Sequence, residues 1–254
     1  MPPIAGHNLL IIGGSSGIGA AVAQLAAAEG LNVFIASSNP SRVEAATKKI
    51  QAAVPDARIQ GFVCDVNHDD AESSLEQLLA DVLRACGGQP LDHVVYTAAV
   101  ADARPVSEVT ARYLRESVQF SYVVPFLLAK LAPRYIRQHY ASSLTFTGGR
   151  LGERPARGMA VVSARGGSLL GTTRGLALDL APVRVNLVSP GATDTEMLSG
   201  MGEEVARRAR MVAGTSLLGK IGAPEEVAEA YLYLMRDTNS TGSCVSTNGG
   251  VLIQ

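Results

Sequence analysis

Residues 13–19 read GGSSGIG, with glycines at 13, 17 and 19. Glycine lets the main chain turn tightly and come close to a bulky ligand, because no Cβ stands in the way. Where such a turn opens a helix, unpaired N–H groups and the helix dipole face the same point, and a pyrophosphate fits there. Gly13, Ser15, Ser16, Gly17, Ile18 and Gly19 are therefore expected to cradle a dinucleotide. The alternative is a tight turn with no ligand. Context separates the two: a strand before the turn and a helix after it.

A second stretch, IASSNPSR (35–42), bears on which dinucleotide. A free ribose 2′-hydroxyl favours an Asp or Glu at this place, and neither is present. Ser37, Ser38, Asn39 and Arg42 offer hydroxyls, an amide and a positive charge, which suit a 2′-phosphate. The expected cofactor is NADP(H), unless Arg42 is an ordinary residue of a helix's first turn.

Both stretches need elements to hold them. NLLIIGG (8–14) is a short apolar strand, and GIGAAVAQLAAAEG is an Ala-rich helix closed by Gly30. LNVFIAS gives the next strand, followed by a helix from about Ser41 to Ala53. ARIQGFVCD ends in Asp65, and DDAESSLEQLLADVLRAC carries leucines and valines at helical spacing. LDHVVYTAA is a fourth strand. Residues 107–140 read as one long helix that Pro125 and Pro133 should bend or break. SSLTFTGG, VRVNLVSPG and SCVSTNGG supply three further strands with helices between them. Apolar strands separated by helices predict a parallel sheet covered on both faces. The expectation is one doubly wound, Rossmann-like α/β domain over 1–254, without repeats or linkers.

Of the 254 residues, 47% are hydrophobic, enough for one well-buried core. Lys and Arg number 22 against 23 Asp and Glu, a net charge of −1 that gives no electrostatic reason to expect nucleic acid or an acidic membrane. No apolar run reaches the ~18 residues of a spanning helix, and Met1-Pro2-Pro3 begins no secretory signal. Cys64, Cys86 and Cys244 are scattered and read as reduced thiols of a cytoplasmic protein. His7, His68, His93 and His139 are scattered as well, and no metal site is expected.

At this point the chain resembles the short-chain dehydrogenase/reductase family over nearly its whole length. The glycines match that family's Gly-x-x-x-Gly-x-Gly, and CDV (64–66) is similar to its adenine-contacting turn, which implies Asp65 and Val66. YTAA (96–99) stands where the family has Asn-Asn-Ala-Gly, implying Thr97, Ala98 and Ala99 beside the cofactor. VRVNLVSPG and TNGG resemble the sixth and last strands. Pro190, Gly191, Thr193 and Thr195 would then border the nicotinamide and its phosphates.

The family's usual catalytic set is Asn, Ser, Tyr and Lys, the tyrosine handling the substrate proton and the lysine lowering its pKa. By the same resemblance, VVSARGGSLLGTTRGLALDL (161–180) corresponds to the Tyr-x-x-x-Lys helix, its register fixed by the trailing Thr-Arg, Leu-Ala and Asp-Leu. That puts Val162 at the tyrosine position and Gly166 at the lysine position. The serine falls on or beside Gly148, and the asparagine near Ser121, or near Gln119 if the register slips. The usual chemistry is missing. Losing a general acid costs on the order of 10²–10⁴ in rate, tolerable if no oxygen needs a proton, as with an iminium, unless a catalytic group sits elsewhere in the pocket.

The remaining candidates are Ser121, Arg157 and Ser163, followed by Arg154, Arg165, Thr147 and Tyr122. Each also has a packing or surface reading, and Arg165 is expected to point beside the pocket. Arg157 stands out because packing explains a charge between Pro155 and Gly158 less easily. By propensity alone, lysine in place of Gly166 would stabilise its helix by roughly 0.5–1 kcal/mol.

ASSNPSR, GKIGAPEEVAEAYLYLMRD and STNGG are similar to a fungal branch of the family that includes reductases of specialised metabolism. Some of these reduce an iminium and also guide an intramolecular Diels–Alder cyclisation, using an acidic Pro-Asp-Pro-Gly-Trp loop and a helix-four arginine. Here the loop reads Pro155-Ala156-Arg157-Gly158-Met159, and helix four shows Ser121. Three readings follow: an atypical NADPH-dependent reductase of a small apolar carbonyl or imine, a redox-neutral cyclase or isomerase, and a non-catalytic NADP-binding protein. A homodimer or homotetramer is also expected through helices 107–140 and 158–181. These carry apolar residues around much of their circumference, including Val118, Phe120, Val123, Val124, Phe126 and Leu127 on one and Val161, Val162, Leu169 and Leu170 on the other.

Overall fold

The computed structural model describes residues 3–100, 102–200, 202–214 and 216–254. Its strands are β1 (Asn8–Ile12), β2 (Asn32–Ser37), β3 (Arg58–Val63), β4 (His93–Tyr96), β5 (Ser143–Thr147), β6 (Arg184–Pro190) and β7 (Cys244–Thr247). They pair in parallel in the order β3-β2-β1-β4-β5-β6-β7. The helices are α1 (Gly17–Ala28), α2 (Pro40–Ala53), α3 (Ala71–Ala85), α4 (Ala111–Ser117), α5 (Val124–Tyr135), α6 (Ala160–Asp179), α7 (Glu196–Gly200), α8 (Glu203–Gly214) and α9 (Pro224–Arg236). The doubly wound reading is borne out.

Strand alternation explains why β1 is apolar from Leu9 to Ile12. Leu10 and Ile12 join one core layer with Leu75, Leu128 and Leu176 from α3, α5 and α6. Leu9 and Ile11 join the opposite layer with Val22 from α1 and Tyr231 from α9. A strand buried on both faces has no place for polar alternation.

The chain winds outward from β1 to β3 and then returns to β4 on the other side of β1. Loops leaving β1 and β4 therefore diverge and open a crevice at their carboxyl ends. The glycine-rich turn and residues 97–99 both lie there.

The long helix expected over 107–140 is broken. α4 ends at Ser117, a π-helical turn covers Gln119–Val123, and α5 ends at Tyr135, after which Ile136 turns extended and bridges to Leu91. Pro125 is the cause: it has no N–H for the Ser121 carbonyl four residues back. Ser168 Oγ of α6 lies 3.2 Å from that carbonyl and shares its one proton between it and the nearer Arg165 O at 2.7 Å. α2 in turn begins at Pro40, because the Asn39 side chain caps it and accepts from the Arg42 N–H at 3.0 Å.

Candidate cofactor and substrate site

Gly13 and Gly19 of the glycine-rich turn are packed too closely for any other residue. Gly13 has φ +94°, and a Cβ there would stand 2.5 Å from the Ala98 nitrogen. On Gly19 a Cβ would stand 2.2 Å from the Gly13 carbonyl oxygen and 2.6 Å from Thr97 Oγ1. The N–H groups of Thr97 and Ala98 both donate to Ile12 O, at 2.8 and 3.1 Å. Residues 97 and 98 thus support the turn from below, and Ala99 is exposed beyond them.

The N-terminus of α1 opens from this cradle. Its N-cap residue Ser16 makes no side-chain cap bond, and its first turn holds no acid. Helix N–H groups left without a cap attract an anion. In the structure a carboxylate comes from 179 residues away: Gly17 N–H donates to Glu196 Oε2 at 2.9 Å. The neighbouring Thr195 lies on Gly17, its Cγ2 being 3.1 Å from where a Cβ would sit.

Thr195 therefore reaches the glycine-rich turn. Pro190 and Thr193 are buried and shape the turn that carries it, Thr193 Oγ1 donating to Gly191 O at 3.2 Å. Gly191 presses against the residue that follows β7, where a Cβ would meet Asn248 Cα at 2.9 Å.

At the end of β2, Ser38, Asn39 and Arg42 are exposed and Ser37 is half-buried. Asn39 is occupied in capping α2, so of this group the hydroxyls and Arg42 remain for a ligand. Asp65 Oδ1 accepts from Asn67 N–H at 2.9 Å. Val66 is buried, and its carbonyl accepts from Gln119 Nε2 at 2.8 Å, tying the π turn to this loop.

Gly148 and Gly166, which the resemblance pairs with catalytic positions of the family, lie close together around the turn that follows β5. Gly148 still continues the β5 pattern, its N–H donating to Val188 O at 2.8 Å. Gly149 follows, and then a 3₁₀ turn over Arg150–Gly152 packs against α6. A Cβ on Gly166 would lie 2.8 Å from Gly152 Cα and 2.9 Å from its nitrogen. The expected gain from a lysine at 166 is thus overturned: the helical glycine is required by backbone contact.

Of the candidate proton donors, several are committed elsewhere. Tyr122 is exposed and packs against Phe126, with ring centroids 4.9 Å apart, on the outer face of the π turn. Arg154 donates to Val251 O at 2.7 Å. Arg165 donates to Asp102 O at 2.7 Å, fastening the loop after β4 to α6 rather than standing idle beside the pocket. Thr147 Oγ1 donates to Tyr96 O at 2.8 Å and accepts from Tyr231 at 2.6 Å.

Ser121 and Ser163 differ, since both hydroxyls are buried without a partner. Arg157 is exposed on its loop. Burial pushes the thiols of Cys64, Cys86 and Cys244 up to about 11, which leaves none of them a nucleophile.

The sequence reasoning missed three residues that matter here. Glu196 stood next to Thr195 but no motif marked it. Gly152 pairs with Gly166 only through the fold. Tyr231 is fully buried on α9, where burial holds its phenol well above the ordinary pKa and its proton goes to Thr147.

A family model, the SDR-like Rossmann domain, matches residues 3–254. The chain belongs to the short-chain dehydrogenase/reductase family. It is 51% identical over 254 residues to "Short-chain dehydrogenase/reductase ATR9" of Stachybotrys chlorohalonatus, covering 100% of both chains. Likeness to "Short-chain dehydrogenase/reductase malC" of Malbranchea aurantiaca is 37% over 257 residues, covering 99% of this chain and 96% of that one. The structure of the MalC reductase/Diels–Alderase superposes with a TM-score of 0.90 at 36% identity, covering 99% and 98% of the two chains. A short-chain dehydrogenase from Burkholderia cenocepacia, solved in complex with NADP, is 26% identical with a TM-score of 0.86 and coverages of 98% and 99%.

Proposed function

We propose that the protein is an NADPH-dependent reductase of specialised metabolism that acts on a small, mostly apolar carbonyl or imine compound, with iminium-type acceptors the best matched. The contact between Gly152 and Gly166 carries this reading. On the alignment that the resemblance implies, Gly166 takes the lysine's place, and its backbone contact supports a site without the partner that would activate a tyrosine at 162. The fold and the relatives support a reductase, and the missing proton donor points to an acceptor that needs none.

The cradle of Gly13, Gly17 and Gly19 at the N-terminus of α1 fits a dinucleotide pyrophosphate. Ser37, Ser38 and Arg42 fit a 2′-phosphate, with Asp65 and Val66 toward the adenine. Such a cofactor supplies the hydride, and the protein positions the two reactants. Ser121 and Ser163, with unspent buried hydroxyls, are the groups we assign to orienting the substrate, and Arg157 to the mouth of the site.

A redox-neutral cyclase is the second reading, favoured by the structural likeness to a reductase/Diels–Alderase. A screen of imines and ketones with NADPH separates the two: the reductase consumes cofactor in step with product, and the cyclase converts substrate without doing so. Three free thiols fit a reducing compartment, which we take to be the cytoplasm.

We also infer a homodimer, or a tetramer built from it. An open groove of about 330 Å³ runs between the π turn and α6, lined by Tyr122, Phe126, Ser168, Gly171 and Gly175 among others. Beside it, Val118 and Phe126 are exposed, whereas Val124, Val161 and Leu169 are spent on the chain's own core. A Cβ on Gly171 or Gly175 would meet nothing within 4 Å. The aromatic ridge of one copy complements the glycine trough of a two-fold mate.

A further inference from the structure

Four charged residues follow β5 closely: Arg150, Glu153, Arg154 and Arg157. The one acid among them is turned away from the cations. Glu153 Oε1 accepts from Ser189 Oγ of β6 at 2.5 Å and from Ser246 Oγ of β7 at 3.3 Å. Arg154 has a partner in Val251 O at 2.7 Å, and Arg157 stands in water.

Arg150 is the exception. It is half-buried, and among the described residues nothing forms an ion pair or a hydrogen bond with its guanidinium. Burial, and then the charge of Arg154, pull its pKa below the ordinary guanidinium value. Taking a cation out of water without a partner is costly, and an anion beside it offsets that cost. The position of this cation is the edge of the candidate substrate site. A Cβ on Gly149, the residue before it, would stand 3.9 Å from Pro190 O, and Gly152, two residues on, lies against Gly166. One turn therefore touches both the end of β6 and the helix that carries Val162 and Ser163.

We infer that Arg150 anchors a carboxylate of the substrate, so that the compound taken here is an imine or carbonyl acid with one anionic group on an otherwise apolar frame. This rests on the reductase reading above and narrows its substrate class. A guanidinium meets a carboxylate through two parallel N–H···O bonds, which set direction as well as affinity. Arg154 adds a second positive charge nearby while keeping its own partner. An iminium that bears a carboxylate has no net charge, so the cations of the turn do not repel it. The carboxylate is unchanged by hydride transfer, and Arg150 therefore acts on KM rather than on kcat.

Calorimetry with cyclohexanecarboxylate and its amide, neither of which accepts a hydride, reads the anchor without turnover. The wild type is expected to bind the acid about ten-fold tighter than the amide. Arg150→Lys should keep part of that preference, and Arg150→Leu and Arg150→Gln should lose it. With NADPH and a cyclic imine acid, both neutral variants should raise KM about ten-fold and leave kcat within about two-fold. No preference for the acid in the wild type, or a preference that survives in the neutral variants, overturns the anchor. A fall in kcat at unchanged KM does so too. So does a drop in mass by light scattering on Arg150→Gln, which would make an acid of a second copy the partner. An acid preference that depends on Arg150, in a protein that oxidises NADPH with no imine or ketone, supports the anchor and removes the reductase reading.

Discussion

Gly166 of α6 lies directly on Gly152, so close that a Cβ on Gly166 would stand 2.8 Å from the Gly152 α-carbon. The partner atom is main chain, which cannot swing aside. Gly166→Ala and Gly166→Lys should therefore destabilise the fold by roughly 1–3 kcal/mol through overpacking, outweighing the roughly 0.5–1 kcal/mol that helix propensity returns. Denaturant unfolding measures this. Unchanged or raised stability would mean that the turn over 150–152 moves freely, and that the lysine position is vacant rather than filled.

Arg42 is exposed in the first turn of α2, beside Ser38. Arg42→Ala should weaken NADPH by roughly 1–2 kcal/mol, a charge-assisted contact, and leave NADH nearly untouched. Fluorescence titration of both cofactors reads the difference. Equal losses for the two would remove Arg42 from 2′-phosphate recognition.

His93 is fully buried at the opposite end of the sheet, its ring nitrogens bonded to His7 at 3.0 Å and Ser143 Oγ at 2.9 Å. Burial, then the charge of His7, lowers its pKa from 6.5 to about 3, with Asp92 opposing. The unfolded chain therefore binds the proton first. Stability should fall as pH drops from about 6.5 towards 3 and be flat in this respect above. His93→Asn should flatten that slope in unfolding titrations across pH. An unaltered slope would place acid sensitivity elsewhere.

The groove between the π turn and α6 predicts an association that depends on its aromatic ridge. Light scattering should show at least twice the chain mass at micromolar concentration. Tyr122→Glu with Phe126→Glu should return it to one chain, since charge at an apolar interface is left unpaired. A wild-type monomer would contradict the assignment of this face.

Much of this was legible from the sequence because local chemistry and fold agreed. GGSSGIG sits between a strand and a helix, and only glycine fits where Gly13 and Gly19 press on residues 97–98. IASSNPSR lies where β2 meets α2. The expectation that Val162 takes the tyrosine's place came from setting the letters of 161–180 against the family. What the sequence did not reveal depends on contacts across long chain separations: Glu196 reaching Gly17, Gly152 lying on Gly166, and Tyr231 reaching Thr147. The π turn lay between these cases, since Pro125 announced a break but not its form. Arg165 had been read by helix angle alone, and its partner, the Asp102 carbonyl, belongs to a loop that no periodicity locates.

The central claim is reduction without the family's proton donor, and the most direct measurement pairs a cyclic iminium with its ketone counterpart. Turnover of each is followed with NADPH, in the wild type and in Val162→Tyr. The iminium should be reduced with one NADPH consumed per product. The ketone should lag by on the order of 10²–10⁴, and Val162→Tyr should not rescue it, because the backbone at Gly152 leaves no room for an activating lysine. Ketone reduction as fast as iminium reduction, or iminium conversion without NADPH consumption, would contradict the account.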